Sequence, residues 1–281
     1  MSQSYLPFLG YGGENNPANP LQLFGNNIKG WLKADSGSMF NPSISDGDLI
    51  PNFTDINNLS HGWTDFSNFG DMNLGNQSLS NVTFKANRIN GNGSVFFSGI
   101  AGSHLLSTFL TPWEFLHKES GTIIFLAKVN SSGDAIKILL SNGGQVGSGI
   151  GFEILLRNDS GFNGVFQCII RNGSGTIYLN VKSPTGKIVF NDWAVYEISH
   201  SKNISGTLYI NFVNVASNNV VGTASTLGFS DSSVQLGEPN GLANRKFKDE
   251  VSEFIFLDKV LNADERNSLK TYFKQKYALP L

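Results

Sequence analysis

The middle of the chain alternates apolar and polar side chains with a period of two. In GFEILL the residues Phe152, Ile154 and Leu156 share one face, and Ile177, Leu179 and Val181 do the same in the next strand but one. The runs AIKILL, GIGFEILL, GVFQCIIRNG, GTIYLNV, WAVYEISHS and GTLYINFVNV follow one another with Gly, Asn or Ser between them, a spacing that predicts a meander of antiparallel strands. IKGWLKAD at 28–35, GSVFFSG at 93–99 and TIIFLAKV at 122–129 are earlier strand candidates, and EVSEFIFLDKVL is the last. A sheet with one apolar face must bury it, so two such sheets are expected to cover each other. After the last strand the period changes. Asn262, with Glu265 three residues on, forms a capping box, and Leu269, Tyr272, Phe273, Lys276 and Tyr277 recur at helical spacing. This predicts a terminal helix whose aromatic stripe faces the body, with Lys270 and Lys274 towards water, ended by Pro280.

Two stretches keep neither period. Residues 1–28 are rich in Pro, Gly and Asn with isolated apolar side chains, and they are expected to form an extended arm. Its Leu6, Phe8, Leu9, Leu21, Leu23 and Phe24 would dock into grooves of a neighbouring subunit, which makes a homo-oligomer the expected state. Residues 29–281 are read as one jelly roll, interrupted by a loop-rich segment at about 40–81 that contains HGWTDFSNFGDMNLGNQ.

Composition narrows the picture. Charged residues are 15% of the chain and glycine is 31 of 281, as expected for many strands joined by tight turns, so the class is all-β. The net charge of −2 offers no basic field for phosphates, so nucleic acid is not an expected partner. No apolar run is long enough to cross a bilayer as a helix, and the first residues lack the pattern of an export signal. The lone cysteine, Cys168, lies on one strand face with Phe166 and Ile170 and is read as a small buried hydrophobe.

The terminal VSEFIFLDKVLNADERNSLKTYFKQKYAL, with the earlier WLKADSG, INGNGSVFFSG, WAVYEISHSKNISGTLYINFVNV and VQLGEPN, resembles the laminin-G-like branch of the concanavalin A-like lectin/glucanase superfamily over roughly 29–281. The resemblance implies a two-sheet antiparallel jelly-roll sandwich with a single C-terminal helix. It also implies a binding or structural role, calcium being frequent but not universal in that group. Such domains occur in bacterial surface proteins and in phage virion proteins.

Catalysis has no visible carrier in the sequence. Glu250 and Glu253, three apart in DEVSEF, are expected on opposite faces of a strand, which breaks the paired-carboxylate geometry of glycoside hydrolysis. His61, His104, His117 and His200 have no adjacent acid and nucleophile. Calcium could use loop oxygens at Asp46 and Asp48 or at Asp65 and Asp71, but neither pair has full EF-hand spacing and Asx-turns are the favoured reading of those residues, so no cofactor is expected. Trp63, Asp65, Phe66 and Asn68 form the candidate ligand site, an aromatic platform with polar neighbours suited to a sugar face. The expected function is that of a non-enzymatic bacteriophage virion structural protein, such as a capsid decoration or tail adhesin. It would be made in the host cytoplasm, carried on the virion surface, attached to neighbouring virion proteins through the arm, and able to meet a host-surface glycan. The alternative is a carbohydrate-binding, lectin-like module of a bacterial surface protein.

Overall fold

The computed structural model describes residues 18–41, 43–50, 62–67, 72–76, 81–100, 103–107, 110–132, 134–142, 149–173, 177–228, 233–238 and 244–281. Two antiparallel sheets face each other. The first contains β1 (Ile28–Lys33), β5 (Val82–Ile89), β6 (Asn92–Phe97), β8 (Gly121–Lys128), β13 (Trp193–Ser201), β14 (Ser205–Ile210), β15 (Val213–Asn219) and β17 (Glu250–Leu257). Their spatial order is β15-β14-β13-β8-β17-β6-β5, and β1 shares with β6 the edge of β17 that β8 leaves open. The second sheet runs in the order β12 (Ile177–Lys182), β11 (Val165–Asn172), β10 (Ile150–Arg157), β9 (Ile136–Asn142), β16 (Val234–Leu236), β7 (Leu105–Ser107) and β4 (Gly75–Asn76). A two-strand ribbon pairs β2 (Phe40–Asn41) with β3 (Gly62–Trp63). Short helices α1 (Pro20–Phe24) and α2 (Phe115–Lys118) accompany the long α3 (Ala263–Tyr277), and no described helix is long and apolar enough to cross a membrane.

The sandwich has two main apolar layers. Between the sheets Phe125, Phe166, Tyr196, Phe254 and Phe256 pack with Trp63, Trp113 and the inward residues of β10 and β11. Outside the first sheet α3 lays Leu269, Tyr272, Phe273 and Tyr277 over Trp31, Ile124, Leu126, Ile255 and Leu257. The first sheet is therefore covered on both faces, which is why β17 is buried at all eight positions and β8 reads as a nearly unbroken apolar run. The capping box of α3 forms as expected: Asn262 Oδ1 accepts from Glu265 N at 2.9 Å while Glu265 Oε2 accepts from Asn262 N at 3.0 Å.

Under α3 lies a fully buried carboxylate. Glu253 accepts from Tyr272 OH at 2.8 Å, from Trp31 Nε1 and from Tyr277 OH, and its other cover is Lys276 Nζ at 3.0 Å. Burial and the adjacent carboxylate hold both tyrosine hydroxyls well above their ordinary pKa, so they remain donors. Lys276 also reaches Asp35 at 2.8 Å, so β1, the turn after it, β17 and α3 meet at one carboxylate.

Two expectations are corrected. The ladder slips between Val251 and Glu253, and this bulge turns Glu253 outward although Val251 and Phe254 both point into the sandwich. Glu250, the neighbour of Val251, consequently shares the outer face with Glu253, contrary to the alternation expected from their spacing. The two carboxylates do not line a cleft, because Glu253 is enclosed by α3 and Glu250 is held by Arg88 at 2.6 Å and Ser94 at 2.7 Å. The arm is also not extended over its last described part. Asn19 caps α1, Pro20 starts it, and Phe24 is buried against the α3 layer with Leu21 and Leu23 packed beside it. These three belong to the domain's own core, while Leu6, Phe8 and Leu9 lie outside the described residues.

Removing the Phe273 ring should cost about 3–5 kcal/mol in urea unfolding of Phe273→Ala, whereas Lys274→Ala on the exposed side of α3 should stay within about 0.5 kcal/mol.

Candidate functional site

The aromatic platform expected around Trp63 is not a surface. Trp63 is fully buried, its Nε1 donates to Lys33 O at 2.8 Å, and its ring meets Phe254 edge-on with centroids 6.1 Å apart. A tryptophan in a polar, loop-rich stretch reads as exposed, but here it fills the end of the sandwich beside β1. Asp65 is a buried organiser of backbone, accepting from Trp31 N at 2.8 Å, Ser67 N at 2.8 Å and Met72 N at 3.1 Å. Burial raises its pKa, and those hydrogen bonds oppose the rise. Phe66 packs, half-buried, against the helix-side core; Asn68 and Asp71 lie outside the described residues. Asp46 accepts from Ala86 N at 2.8 Å and Asp48 from Ser45 N at 2.7 Å, so both brace loops. Among the described residues no three His, Cys, Asp or Glu groups converge as metal ligands. Cys168 lies in the inter-sheet core, where burial pushes its thiol up to about 12 and leaves it inert.

A second buried ion pair joins the sheets from inside. Lys137 of β9 reaches Asp249, just ahead of β17, at 2.9 Å, with both side chains out of solvent. Asp249 also accepts from Asn130 N, and Lys137 donates to Asn130 O. Burial pushes the Asp249 carboxyl up to about 7 against the pull of Lys137. The folded chain therefore keeps a proton that the unfolded chain releases near pH 4, so this group's contribution is present at low pH and is lost as pH rises towards 7.

The outer face of the second sheet is different from every other surface. Alternation places Phe152, Ile154, Leu156, Phe166, Cys168 and Ile170 inward, so Glu153, Leu155, Arg157, Gln167, Ile169 and Arg171 point outward. Ile138, Leu155 and Ile169 make a small apolar floor with Ile136 and Ile177 at its margins. At one end of this floor the polar groups satisfy one another. Arg157 grips Asp159 at 2.9 and 2.5 Å and lies 3.6 Å from the Phe162 ring centre, while Gln167 donates to Asn180 at 2.8 Å. At the other end they do not. Glu153 sits opposite Ile169 on β11 and Ser141 on β9, only 2% exposed, and its Oε1 has no hydrogen-bond partner. Burial raises its pKa, opposed by the charges of Arg171 and Arg245. Arg171 Nε is likewise buried without a partner. Arg245 comes in from beyond β9, where its carbonyl accepts from Ile138 N at 3.0 Å.

The arginines make the contrast sharp. Arg88, Arg157 and Arg266 each hold a carboxylate, Glu250, Asp159 and Glu197, with more than one hydrogen bond. Arg171 and Arg245 have no such fork among the described residues. The sequence offered one signal for this site. An acid in the middle of GFEILL and an arginine in CIIRNG stand on the face opposite to the inward residues, where a solvent-facing strand would carry short polar groups.

No protein-family model matches the sequence, and no curated protein matches it. Solved structures do match in three dimensions. The binding domain of botulinum neurotoxin serotype D is 13% identical with a TM-score of 0.59, over 88% of this chain and 52% of that one. The binding domain of Paraclostridial Mosquitocidal Protein 1 is 15% identical with a TM-score of 0.61, over 88% and 53%. The serotype G binding domain is 14% identical at 0.60, over 87% and 50%. What they share with this chain is the fold. The chain spans about half the length of these structures, all of them described as binding domains.

The ion pair gives a pH test. The stability difference between wild type and Asp249→Asn in urea should move against the wild type between pH 4.5 and pH 7.5, by on the order of a few kcal/mol. A pH-independent difference would show that Asp249 is ionised throughout.

Proposed function

We propose that the chain is a non-catalytic, lectin-like binding module that contacts a glycan of a cell-surface receptor through the outer face of its second sheet. The observation that carries this reading is the Glu153 end of that face, where a buried carboxylate oxygen and a buried guanidinium N–H lie without partners beside an apolar floor. Folded chains seldom leave such groups unpaired, because each costs about 1–3 kcal/mol, and a ligand supplying both a donor and an acceptor would satisfy them. Sugar hydroxyls do both, and a pyranose ring offers an apolar face for Ile136 and Ile177, the half-buried residues at the margins of the floor. The similarity of fold to domains described as binding domains agrees with this reading. Attachment to virion proteins through the arm has lost the anchors Leu21, Leu23 and Phe24 to the domain core, so the lectin-like alternative is preferred.

A glycan array tests the reading. The wild-type protein should bind a restricted set of glycans. Ile136→Glu combined with Ile177→Glu, at the half-buried margins of the floor, should weaken that binding by about tenfold or more while the unfolding midpoint stays close to wild type. A protein that binds no glycan, or a folded double variant that binds as well as wild type, overturns the assignment.

A further inference from the structure

We propose that β15 is an interface strand through which two copies of the chain join, edge to edge and antiparallel, into a two-fold dimer with one continuous first sheet. The interface lies on the rim of the sandwich and does not depend on the glycan-binding reading.

A strand at the rim of a sheet carries a row of unpaired N–H and C=O groups, which folded proteins cover, charge or kink. Four of the rims here are covered by the chain itself. Against β5 lies the segment 47–50, with Phe84 N donating to Asp48 O at 2.9 Å and Ile50 N to Val82 O at 2.9 Å. Against β1 lies the stretch after β3, with Phe66 N donating to Trp31 O at 2.8 Å. The rim of β12 is met by Val221 N, which donates to Tyr178 O at 2.8 Å, and by Asn218 Nδ2, which donates to Asn180 O at 2.8 Å. The chain entering β4 pairs with β3, Trp63 N donating to Leu74 O at 2.8 Å. β15 is the exception. It pairs with β14 and ends its sheet, and no described residue hydrogen-bonds to the backbone on its far side.

The usual protections of a bare rim are missing too. β15 has the sequence VNVASNN, and residues 203–230 contain no Asp, Glu, Lys or Arg. Its single bulge, at Val215, puts neither a charge nor a proline on the rim. The apolar layer under α3 extends to Phe212, in the turn before β15, and includes no residue of β15 itself.

The apolar side chains at the two ends of this rim select a second copy as the partner. Seven large apolar side chains are exposed among the described residues, and three of them, each more than half exposed, mark this strand: Val213 at one end, Ile204 and Val221 at the other. Ile204 is held at that end through its carbonyl, which accepts from Val220 N at 3.1 Å. Ser205 pairs with Asn219 and Ile210 with Val213, so the two ends are separated by the full length of the strand. An antiparallel two-fold lays the Val213 end of each copy on the Ile204 and Val221 end of the other, with uncharged Asn and Ser side chains between. Apolar meets apolar twice, backbone donors meet acceptors along the middle, and no like charges face each other. A second copy supplies this order of ends by symmetry. The contact closes on itself, so assembly stops at two.

Sedimentation velocity tests the interface. The wild type should shift from monomer to dimer between about 1 and 100 µM, with nothing larger. Val213→Lys combined with Ser217→Lys sets charges at two exposed positions of β15 and should weaken dimerisation by about tenfold or more, while circular dichroism and the unfolding midpoint stay close to wild type. Val260→Lys, at an exposed apolar position beyond the end of β17 and separated from the rim by β8, β13 and β14, should leave dimerisation unchanged. A nitroxide label on Ser217→Cys reads the geometry directly, since Cys168 is buried and inert. Strands paired at about 4.8 Å should place the two labels within about 25 Å of each other. A wild type that stays monomeric, a dimer that survives in the folded double-lysine variant, a label distance well beyond that range, or growth past the dimer each overturns the proposal. If the double-lysine variant does not fold, the label distance decides.

Discussion

Burying Glu253 under α3 is the constraint on which the first half of the sandwich depends. A carboxylate with no access to water is tolerated only when its lone pairs are filled, and here the donors come from two separate elements: Trp31 on β1, and Tyr272 and Tyr277 on α3, with Lys276, also on α3, supplying the opposing charge. None of these elements can be displaced without leaving the charge stranded. The apolar layer between α3 and the sheet provides most of the attraction, but it would permit α3 to slide or rotate. The carboxylate does not, since only one placement of the helix brings both hydroxyls and the ammonium to it. The same contact explains why the chain tolerates a bulge at the start of β17. Without that slip Glu253 would face into the sandwich beside Val251, and Phe254 and Phe256 would be turned out of it.

The sandwich has two outer surfaces with opposite fates. The outer face of the first sheet is roofed by α3 and α1 and has its charges neutralised in place. The outer face of the second sheet carries a smaller apolar floor with one end balanced by Arg157, Asp159, Gln167 and Asn180 and the other end unbalanced at Glu153, Arg171 and Arg245. Since Lys137 and Asp249 tie β9 to the chain just before β17, the presented surface is fixed to the roofed one through the interior and not through loops. A face built on central strands in this way holds its side chains in fixed positions, which would reduce the ordering cost of binding any ligand there.

Much of this architecture was legible in the sequence, for identifiable reasons. The strands of the second sheet announced themselves because one of their faces is buried and the other is not, and the last helix did so because Asn262, Glu265 and the stripe from Leu269 to Tyr277 are local signals that need no knowledge of the rest of the chain. What escaped was decided at a distance. Trp63 looked like a loop aromatic because its neighbours in sequence are polar, whereas its neighbours in space are Phe40 and Phe254. The helix at Pro20–Phe24 was hidden by its shortness, although Asn19 and Gln22 form the same reciprocal cap that was recognised at Asn262. The faces of Glu250 and Glu253 were misassigned because a one-residue bulge reverses every later side chain and leaves no mark in the sequence. Arg171 and Arg245 are far apart in the chain, and only the sheet register brings their charges to the same carboxylate.

The place of β17 in the sheet has a consequence for how the protein is made. It lies between β8 on one side and β6 with β1 on the other, yet it is the last strand to leave the ribosome. Until residues 250–257 emerge, the first sheet lacks the strand that joins its parts: β15-β14-β13-β8 on one side, the β5-β6 hairpin on the other, and β1, which pairs with no strand but β17. Such a nascent chain cannot fold progressively from its beginning. It must wait, open, for its closing strand, and then join contacts more than 200 residues apart in sequence, the kind of long-range closure that makes folding slow. The interval between synthesis and closure is when this chain is most exposed to aggregation and most in need of chaperones.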